Sequence, residues 1–573
     1  MKSRGKIYIL IVIAAVLLFL GGKYLESRGY AEPVRGEKEM AYALGWNKIL
    51  AADINRNRII LNVDGSDVNV KSGELFMDSD LNMMIDVETL TSLLSCAVNR
   101  YESDSAVIEK GGSRVCVSAG SANATCNGEE RELDAPAKLI DGRLYIPLSL
   151  IGSCLPYDYS WNPRLYTASL TNRRPDEKIY PYMYSYREDG RISTVKNQGD
   201  LGTCWAFASL TALESSLLPE YRLDFSEDHM TFHNGYNLTQ KDGGEYNMSM
   251  AYLASWRGPV LEEDDPYGDG YSPDGLEPVL HVQEMQIIES KNFDGIKRAV
   301  FLHGGVQSSL YMSINDAGGN SSGVYNAENY SYCYIGTQKA NHDVVIIGWD
   351  DSYPASSFAT PPEGDGAFIC INSWGDNFGD EGYFYVSYYD SNIGVHNLVY
   401  TGVEAADNYD NIYQSDVCGW VGQMGYGRES AFFANVYEAE GSEMLRAVGF
   451  YATGPDTEYE VYFVDNFEDT DSFENKVSVA SGQVANAGYY TVDIDGERFL
   501  LEGRRYAVAV KITTPNSVHP IAIEYSADEA TSTVDISDGE GYISLGGTRW
   551  EHVEETQKCN VCLKAYTDTV EKN

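Results

Sequence analysis

Positive charge is scarce in this 573-residue chain. It has 42 lysine and arginine residues against 85 aspartate and glutamate residues, and its formal net charge at pH 7 is −43. Proteins that bind nucleic acids need basic side chains to neutralise phosphates, so this composition argues strongly against a nucleic-acid partner. An acidic, self-repelling surface instead favours a soluble protein exposed to solvent.

The N-terminal apolar run lacks the small-residue cleavage site of a secretory signal. The run extends from Ile7 to Gly22 after three basic residues, Lys23 closes it, and no Ala-x-Ala sequence follows. It is long for a signal core and slightly short for a full membrane span. We predict that residues 1–22 are an export signal kept as a membrane anchor, with the rest of the chain on the extracellular face. A cleaved signal and a secreted protein are the alternative, and residues 23–56 are predicted to be a polar spacer.

Three separate segments combine residue types that serve nucleophilic catalysis. They are, in chain order, QGDLGTCWAF from Gln198 to Phe207, the pair Asn341-His342 ahead of an apolar run, and NSWG from Asn372 to Gly375. A thiol attacks a carbonyl carbon as the thiolate, which a neighbouring cation or a helix N-terminus stabilises. Because apolar residues recur at helical spacing from Cys204 to Leu218, the sequence predicts a helix that begins at the thiol.

These segments, in this order and spacing, resemble the papain-like cysteine peptidases. The resemblance implies that Cys204 is the nucleophile, that His342 carries the proton, and that Asn372 orients the imidazole ring. It also implies that Gln198, together with the Cys204 backbone N–H, donates hydrogen bonds to the oxyanion of the tetrahedral intermediate. Trp374 is expected to shield the bond between His342 and Asn372 from water. This chemistry uses no cofactor and no metal.

The same resemblance extends to substrate binding. Gly243 and Gly244 occupy the place of a glycine pair whose backbone pairs with the substrate, where a side chain would block close approach. Glu245 and Tyr246 are expected to line the pocket for the substrate side chain two positions before the cut. A carboxylate and a ring there would attract arginine or lysine. In the alternative, Glu245 points to solvent and the pocket is an ordinary apolar one.

Two features of the family are missing. Leu201 stands where relatives often have a cysteine that forms a structural disulfide, so that bridge is absent. No helical inhibitory pro-segment is recognisable upstream, which leaves the restraint on activity open.

The flanking regions indicate two further domains. Residues 57–172 contain an internal duplication that resembles the small repeat domain named after the N-terminal region of copper amine oxidases, common on exported proteins of Gram-positive bacteria. This repeat domain contains no histidine, so it has no copper ligand set. Residues 178–402 form the papain-like region. Residues 403–570 alternate like strands and are similar to the lectin-like domain of bacterial peptidases. The predicted fold class is α+β: a two-lobed protease with a helical lobe and a β-barrel lobe, flanked by a small α+β repeat domain and an antiparallel β-sandwich.

Ten cysteines suit an exported chain without fixing its disulfides. Cys116 and Cys126 flank a predicted hairpin and are candidates for a bridge. Cys559 and Cys562 have metal-site spacing, but two thiols on one strand lack the other half of a zinc site, so no metal is expected.

The predicted function is that of an extracytoplasmic cysteine endopeptidase acting on proteins or peptides. Its flanking domains would contact the cell surface or carbohydrate, and its N-terminal segment the membrane. A catalytically idle surface adhesin with a papain fold is one alternative. A thiol hydrolase of cell-wall peptides on another scaffold is a second, although the NSWG segment and the spacing of Gln198 favour papain.

Overall fold

A computed structural model describes the chain from residue 59 to residue 570. The positions outside the description within that range are 65, 69, 71–73, 79–81, 95, 103, 111, 141, 163–166, 174–179, 189–190, 220 and 314–319. The predicted anchor, residues 1–22, and the predicted spacer, residues 23–56, lie outside the described residues. Within the described range, no helix is long and apolar enough to cross a membrane.

The first region consists of three small sheets and two short helices. Its elements are β1 (Ile60–Val63), β2 (Ser66–Val68), β3 (Leu75–Met77), β4 (Met83–Asp86), α1 (Val87–Leu93), β5 (Ala97–Glu102), β6 (Ser105–Lys110), β7 (Ser113–Ser118), β8 (Asn123–Cys126), β9 (Glu129–Glu132), β10 (Lys138–Ile140), β11 (Arg143–Pro147), α2 (Ser149–Cys154), β12 (Tyr157–Asn162) and β13 (Thr167–Asn172). Each predicted copy of the duplication has a strand, a short helix and two further strands. The copies are joined because β4 and β11 pair antiparallel.

The disulfide of this region differs from the expected one. Cys126 is bonded to Cys154 in α2, whereas Cys116 is free. Cys116 pairs across the hairpin with Thr125, and Cys126 with Val115. Because consecutive strand residues point to opposite faces, the two hairpin cysteines face away from each other. The predicted bridge between Cys116 and Cys126 is therefore wrong.

The central region has a helical lobe followed by a β-rich lobe. Its elements are β14 (Met183–Ser185), α3 (Cys204–Leu217), α4 (Glu227–His233), α5 (Tyr246–Ala254), β15 (Leu280–Ile287), α6 (Phe293–Leu302), β16 (Val306–Leu310), β17 (Tyr325–Asn326), β18 (Ser331–Tyr332), β19 (His342–Asp350), a 3₁₀ turn (Ala355–Ser357), β20 (Ala367–Ile371), β21 (Tyr383–Ser387) and β22 (Asn397–Ala405). Nearly every residue of α3 is buried, which suits its mixture of leucine, alanine and serine on all faces. Helix α3 packs against α4 and α5 on one side and against β16, β19 and β22 on the other, so it forms the boundary between the lobes.

The C-terminal region is a β-sandwich. Its elements are β23 (Asn411–Tyr413), β24 (Gly422–Met424), β25 (Ser430–Glu438), β26 (Glu443–Ala452), β27 (Thr457–Val464), a 3₁₀ turn (Thr470–Asn475), β28 (Val477–Val484), β29 (Ala487–Leu500), β30 (Arg505–Thr513), β31 (Ile521–Glu524), β32 (Gly541–Ser544), β33 (Glu551–His552), α7 (Val553–Thr556), β34 (Asn560–Val561) and β35 (Leu563–Thr569). A six-stranded sheet, ordered β28-β27-β30-β25-β32-β33, packs against the sheet that contains β26 and β35.

One sheet runs without a break from the central region into the sandwich. Strand β15 pairs antiparallel with β22 on one edge and with β29 on the other, in the register Ile287 to Ala487. Gly488 has φ +147°, and a Cβ there would lie 2.0 Å from the carbonyl oxygen of Met285. Only glycine permits this approach of the two backbones. The two regions therefore share backbone hydrogen bonds across their boundary.

Candidate active site

The thiol of Cys204 lies at the first residue of α3. The chain enters the helix through Thr203, whose carbonyl accepts hydrogen bonds from the backbone N–H groups of Ala206 and Phe207. The helix begins where the sequence predicts, so the sulfur lies at the positive end of the helix dipole. At the other end of α3, Gly304 and Gly305 let the chain pass close to Ser215 and Ser216, where a Cβ would lie within 3.0 Å of their atoms.

His342 and Asn372 are brought together by two neighbouring strands. His342 opens β19, Asn372 follows the last residue of β20, and the two strands pair antiparallel. The His342 Nε2 and Asn372 Oδ1 atoms lie 2.8 Å apart, and both residues are buried. The ring of Trp374 lies 5.1 Å from the imidazole ring, between centroids.

Burial favours the neutral forms of both the His342 imidazole and the Cys204 thiol. It lowers the pKa of His342 to about 4, an effect that the hydrogen bond to Asn372 partly opposes. Burial, together with the neighbouring Asp343 carboxylate, raises the pKa of the Cys204 thiol to about 12. The backbone N–H of Asp343 acts in the opposite direction as a hydrogen-bond donor to the sulfur. The Cys204 thiol thus lies beside Asp343, the residue that follows His342.

Transfer of the Cys204 thiol proton to the His342 imidazole would make the sulfur negative and the ring positive in one step. A lone thiolate or a lone imidazolium in a buried site lacks a counter-ion. A thiolate and an imidazolium placed side by side would stabilise each other, and such a pair titrates as a unit. Helix α3 adds its dipole to the thiolate side.

Gln198 is held in one orientation by three hydrogen bonds. Its backbone N–H donates to Ser373 O at 2.8 Å, and its side-chain Oε1 accepts from Ser373 Oγ at 2.6 Å. Its Nε2 donates one hydrogen to Leu201 O at 2.7 Å. Since a primary amide has two N–H donors, the second hydrogen of Nε2 is left for a ligand.

The glycine pair, Gly243 and Gly244, lies against Trp205, the residue that follows Cys204. Gly243 has φ +83° and open space where a Cβ would be, whereas a Cβ on Gly244 would lie 2.5 Å from Nε1 of Trp205. Gly244 therefore approaches the residue next to the nucleophile more closely than a side chain would allow. Glu245 is exposed and precedes the first residue of α5. Tyr246 is half-buried, and its ring centroid lies 6.1 Å from that of His396.

Several residues at this site were not among the sequence-based candidates. Ser373 orients Gln198, and it lies inside the NSWG segment that had already been identified. Tyr267 donates from its hydroxyl to Gln198 O at 2.9 Å and shares a 2.7 Å hydrogen bond with Thr203, so it holds Gln198 and the residue before Cys204 in the same segment. Asp343 follows His342 directly, and its carboxylate accepts from the Gln307 amide at 2.8 Å. No sequence pattern marks Tyr267 or Gln307.

Comparison with protein families agrees with the fold. Residues 62–170 match the copper amine oxidase N-terminal domain, residues 180–403 the papain family cysteine protease, and residues 412–567 the lectin like domain. The chain therefore carries a papain-family peptidase domain between a repeat domain and a lectin-like domain, as the sequence predicts.

Among the described residues, no group of three or more histidine, cysteine, aspartate and glutamate side chains could hold a metal ion.

Curated relatives share the peptidase domain. The chain is 27% identical to Pro-cathepsin H of Bos taurus over 238 residues, which are 40% of this chain and 66% of that protein. It is 27% identical to the Oryzain gamma chain of Oryza sativa subsp. japonica over 230 residues, 38% of this chain and 58% of that protein. The chain thus spans less than two thirds of either relative.

Two solved structures cover both the protease and the sandwich. One is the clostridial cysteine protease Cwp84 after propeptide cleavage, with a TM-score of 0.60, 26% identity, and coverage of 68% of this chain and 99% of that chain. The other contains the cysteine protease and lectin-like domains of Cwp84, a surface layer associated protein of Clostridium difficile, with a TM-score of 0.58, 26% identity, and coverage of 68% and 89%. The predicted α+β fold class is confirmed.

Proposed function

We propose that this protein is a cysteine peptidase that hydrolyses peptide bonds in proteins. The observation that carries the proposal is the 2.8 Å contact between His342 and Asn372, together with a thiol that lies at the N-terminus of a buried helix and beside Asp343, the residue after His342. The family match of residues 180–403 supports the same reaction. We also propose that the domains extend over residues 57–172, 178–402 and 403–570.

The proposed reaction begins with the Cys204 thiolate attacking the carbonyl carbon, which forms a C–S bond and an oxyanion. The second Nε2 hydrogen of Gln198 and the Cys204 backbone N–H donate to that oxyanion. His342 then gives its proton to the leaving amine as the C–N bond breaks. In the second half, His342 takes a proton from water, and the resulting hydroxide releases the acyl group from the sulfur.

Alkylation with iodoacetamide tests the assignment and separates it from the idle adhesin. We expect Cys204 to be alkylated faster than the other free cysteines, and peptide hydrolysis to be lost in parallel with that modification, because this is the thiol that we propose to pair with an imidazole. Peptide mapping by mass spectrometry at several time points measures both. Retention of hydrolysis after complete alkylation of Cys204, or equal reactivity of Cys116, contradicts the proposal.

We propose that the enzyme acts outside the cytoplasm, at the surface of a Gram-positive bacterium. The basic and apolar N-terminal segment, the Cys126–Cys154 disulfide and the similarity to a surface layer associated protein support this location. Residues 1–22 would anchor the chain in the membrane, or be removed to secrete it. The flanking domains would contact the cell surface or carbohydrate.

The surroundings of the glycine pair predict tolerance for basic substrate side chains. Glu245 and the buried Asp343 act electrostatically on Tyr246, whose hydroxyl has a pKa raised first by burial and then by these two carboxylates. A guanidinium placed against Tyr246 would be attracted by the same two carboxylates. We therefore expect arginine and lysine to be accepted two positions before the cut.

A peptide library measures this preference, and Glu245→Gln is the isosteric test. The variant should lower kcat/KM for a substrate with arginine at that position by about three- to tenfold and leave a leucine substrate within about twofold. A library with only bulky apolar preference, unchanged in Glu245→Gln, would rule out the basic pocket and leave the apolar alternative.

A further inference from the structure

The segment that leads to the glycine pair is held by a loop of the lectin-like domain. The backbone N–H of Asn237 donates to Ala530 O at 2.8 Å. The Asn237 side-chain amide lies 3.3 Å from both the backbone and the side-chain oxygens of Glu529. The Thr533 hydroxyl donates to Gly235 O. Residues 529–533 thus fix the chain a few positions before Gly243.

A second part of the lectin-like domain contacts the same segment. Gly235 has φ +91°, and a Cβ there would lie 3.0 Å from Val417 Cγ1. The Tyr236 hydroxyl donates to Cys418 O at 2.7 Å. Residues 414–419 therefore pack directly against the turn that precedes the glycine pair.

Helix α5, which follows the glycine pair, contacts residues 414–419 as well. A Cβ on Gly419 would lie 3.1 Å from the Cβ of Ala251, so the two backbones are in close approach. The side-chain amide of Gln414 donates to Ser255 O, at the end of α5, at 3.0 Å. The lectin-like domain accordingly contacts the chain both before and after the glycine pair.

The segment that contains Cys204 also contacts the segment that leads to the glycine pair. Gly202 donates its backbone N–H to Gln240 O at 2.8 Å, and Gly244 lies against the Trp205 ring. The glycine pair is therefore held between the nucleophile segment and the lectin-like domain. A substrate that pairs with Gly243 and Gly244 needs their backbone groups at a fixed distance from the sulfur of Cys204.

We propose that the lectin-like domain is a positioning element of the substrate groove. Its residues 414–419 and 529–533 set the place of the glycine pair, and they thereby control affinity for peptides that extend toward their N-terminus from the cut. This inference rests on the proposed peptidase function. Asn237 and Thr533 are positioning residues, because they touch neither the substrate carbonyl nor the nucleophile.

Their contacts are distinct from the main junction of the two domains. That junction is the backbone pairing of β15 with β29, which lies in another part of the chain. Asn237 and Thr533 are exposed, so the loss of one of their hydrogen bonds is too small a change to unfold the protein. A kinetic effect of removing these bonds would therefore report on the position of the glycine pair.

The experiment compares a long and a short substrate in the variants Asn237→Ala and Thr533→Val. The long substrate is a peptide with several residues before the scissile bond, and the short one is a blocked single-residue ester that does not reach the glycine pair. We expect KM for the long substrate to rise about three- to tenfold, as for the loss of one or two neutral hydrogen bonds. Its kcat, the short-substrate kinetics and the alkylation rate of Cys204 should stay within about twofold, since the catalytic groups are untouched.

Asn486→Ala is the matched control, because Asn486 also bridges the two domains. Its side chain donates to Gln286 at 2.8 Å beside the β15–β29 junction, far from the glycine pair in the chain. Hydrogen exchange supplies a second measurement, with faster exchange expected at the Gly243 and Gly244 amides only in the first two variants. An unchanged KM for the long substrate, or an equal rise in Asn486→Ala, overturns the inference. A parent enzyme that cleaves neither substrate refutes the proposed function instead, and this inference falls with it.

Discussion

Replacement of Cys204 by serine is expected to abolish peptide hydrolysis while the fold stays intact. The hydroxyl oxygen does not ionise at a pH where the thiol can pass its proton to His342, so the nucleophilic anion is lost. We expect kcat/KM to fall by at least about 10⁴-fold. Serine is slightly smaller than cysteine, and the site at the start of α3 is only half-buried, so the melting temperature should change little.

Cys116→Ser is the matched control for this variant. Cys116 is also free and half-buried, but it lies in the repeat domain. We expect this control to keep full activity. Initial rates with a fluorogenic peptide, together with thermal melts of both variants, provide the measurement. Activity of Cys204→Ser within tenfold of the parent would refute the assignment of the nucleophile.

Local sequence patterns predicted the local structure of the three candidate segments well because each lies on one continuous element or borders one. The helix from Cys204 follows from apolar spacing over a few turns, and His342 and Asn372 are recognisable because each borders an apolar strand. The strand, helix and strand order of each repeat copy is local in the same sense. In these places the residues that determine the structure are neighbours in the chain.

The remaining features depend on partners that are distant in sequence. The pairing of β15 with β29 joins residues about two hundred positions apart, and both strands read as ordinary strands in isolation. The partner of Cys126 in the disulfide depends on which face of the hairpin Cys126 occupies. A shift of one residue in the strand register would place Cys126 on the opposite face. Tyr267 and Gln307 reach the site from loops and strands with no periodic signal. Such contacts require the tertiary structure.

The second large effect is expected from Gln198→Ala. The side-chain amide of Gln198 has one hydrogen bonded to Leu201 O and one left for the oxyanion, so alanine removes a donor that acts mainly in the transition state. We expect kcat to fall by about 10²- to 10³-fold with little change in KM. Steady-state kinetics on a single peptide substrate measures both constants.

Ser373→Ala gives a graded version of the same test. The Ser373 hydroxyl donates to Gln198 Oε1 at 2.6 Å, while the backbone hydrogen bond from Gln198 to Ser373 O persists in the variant. The amide of Gln198 would then rotate more freely without being lost, so we expect a fall in kcat of about three- to tenfold. The combined variant should be no slower than Gln198→Ala alone, because the hydroxyl has nothing left to orient. A rise in KM alone in Gln198→Ala would mean that Gln198 binds the ground state and that the oxyanion has another donor. Additive effects in the double variant would mean that Ser373 acts independently of Gln198.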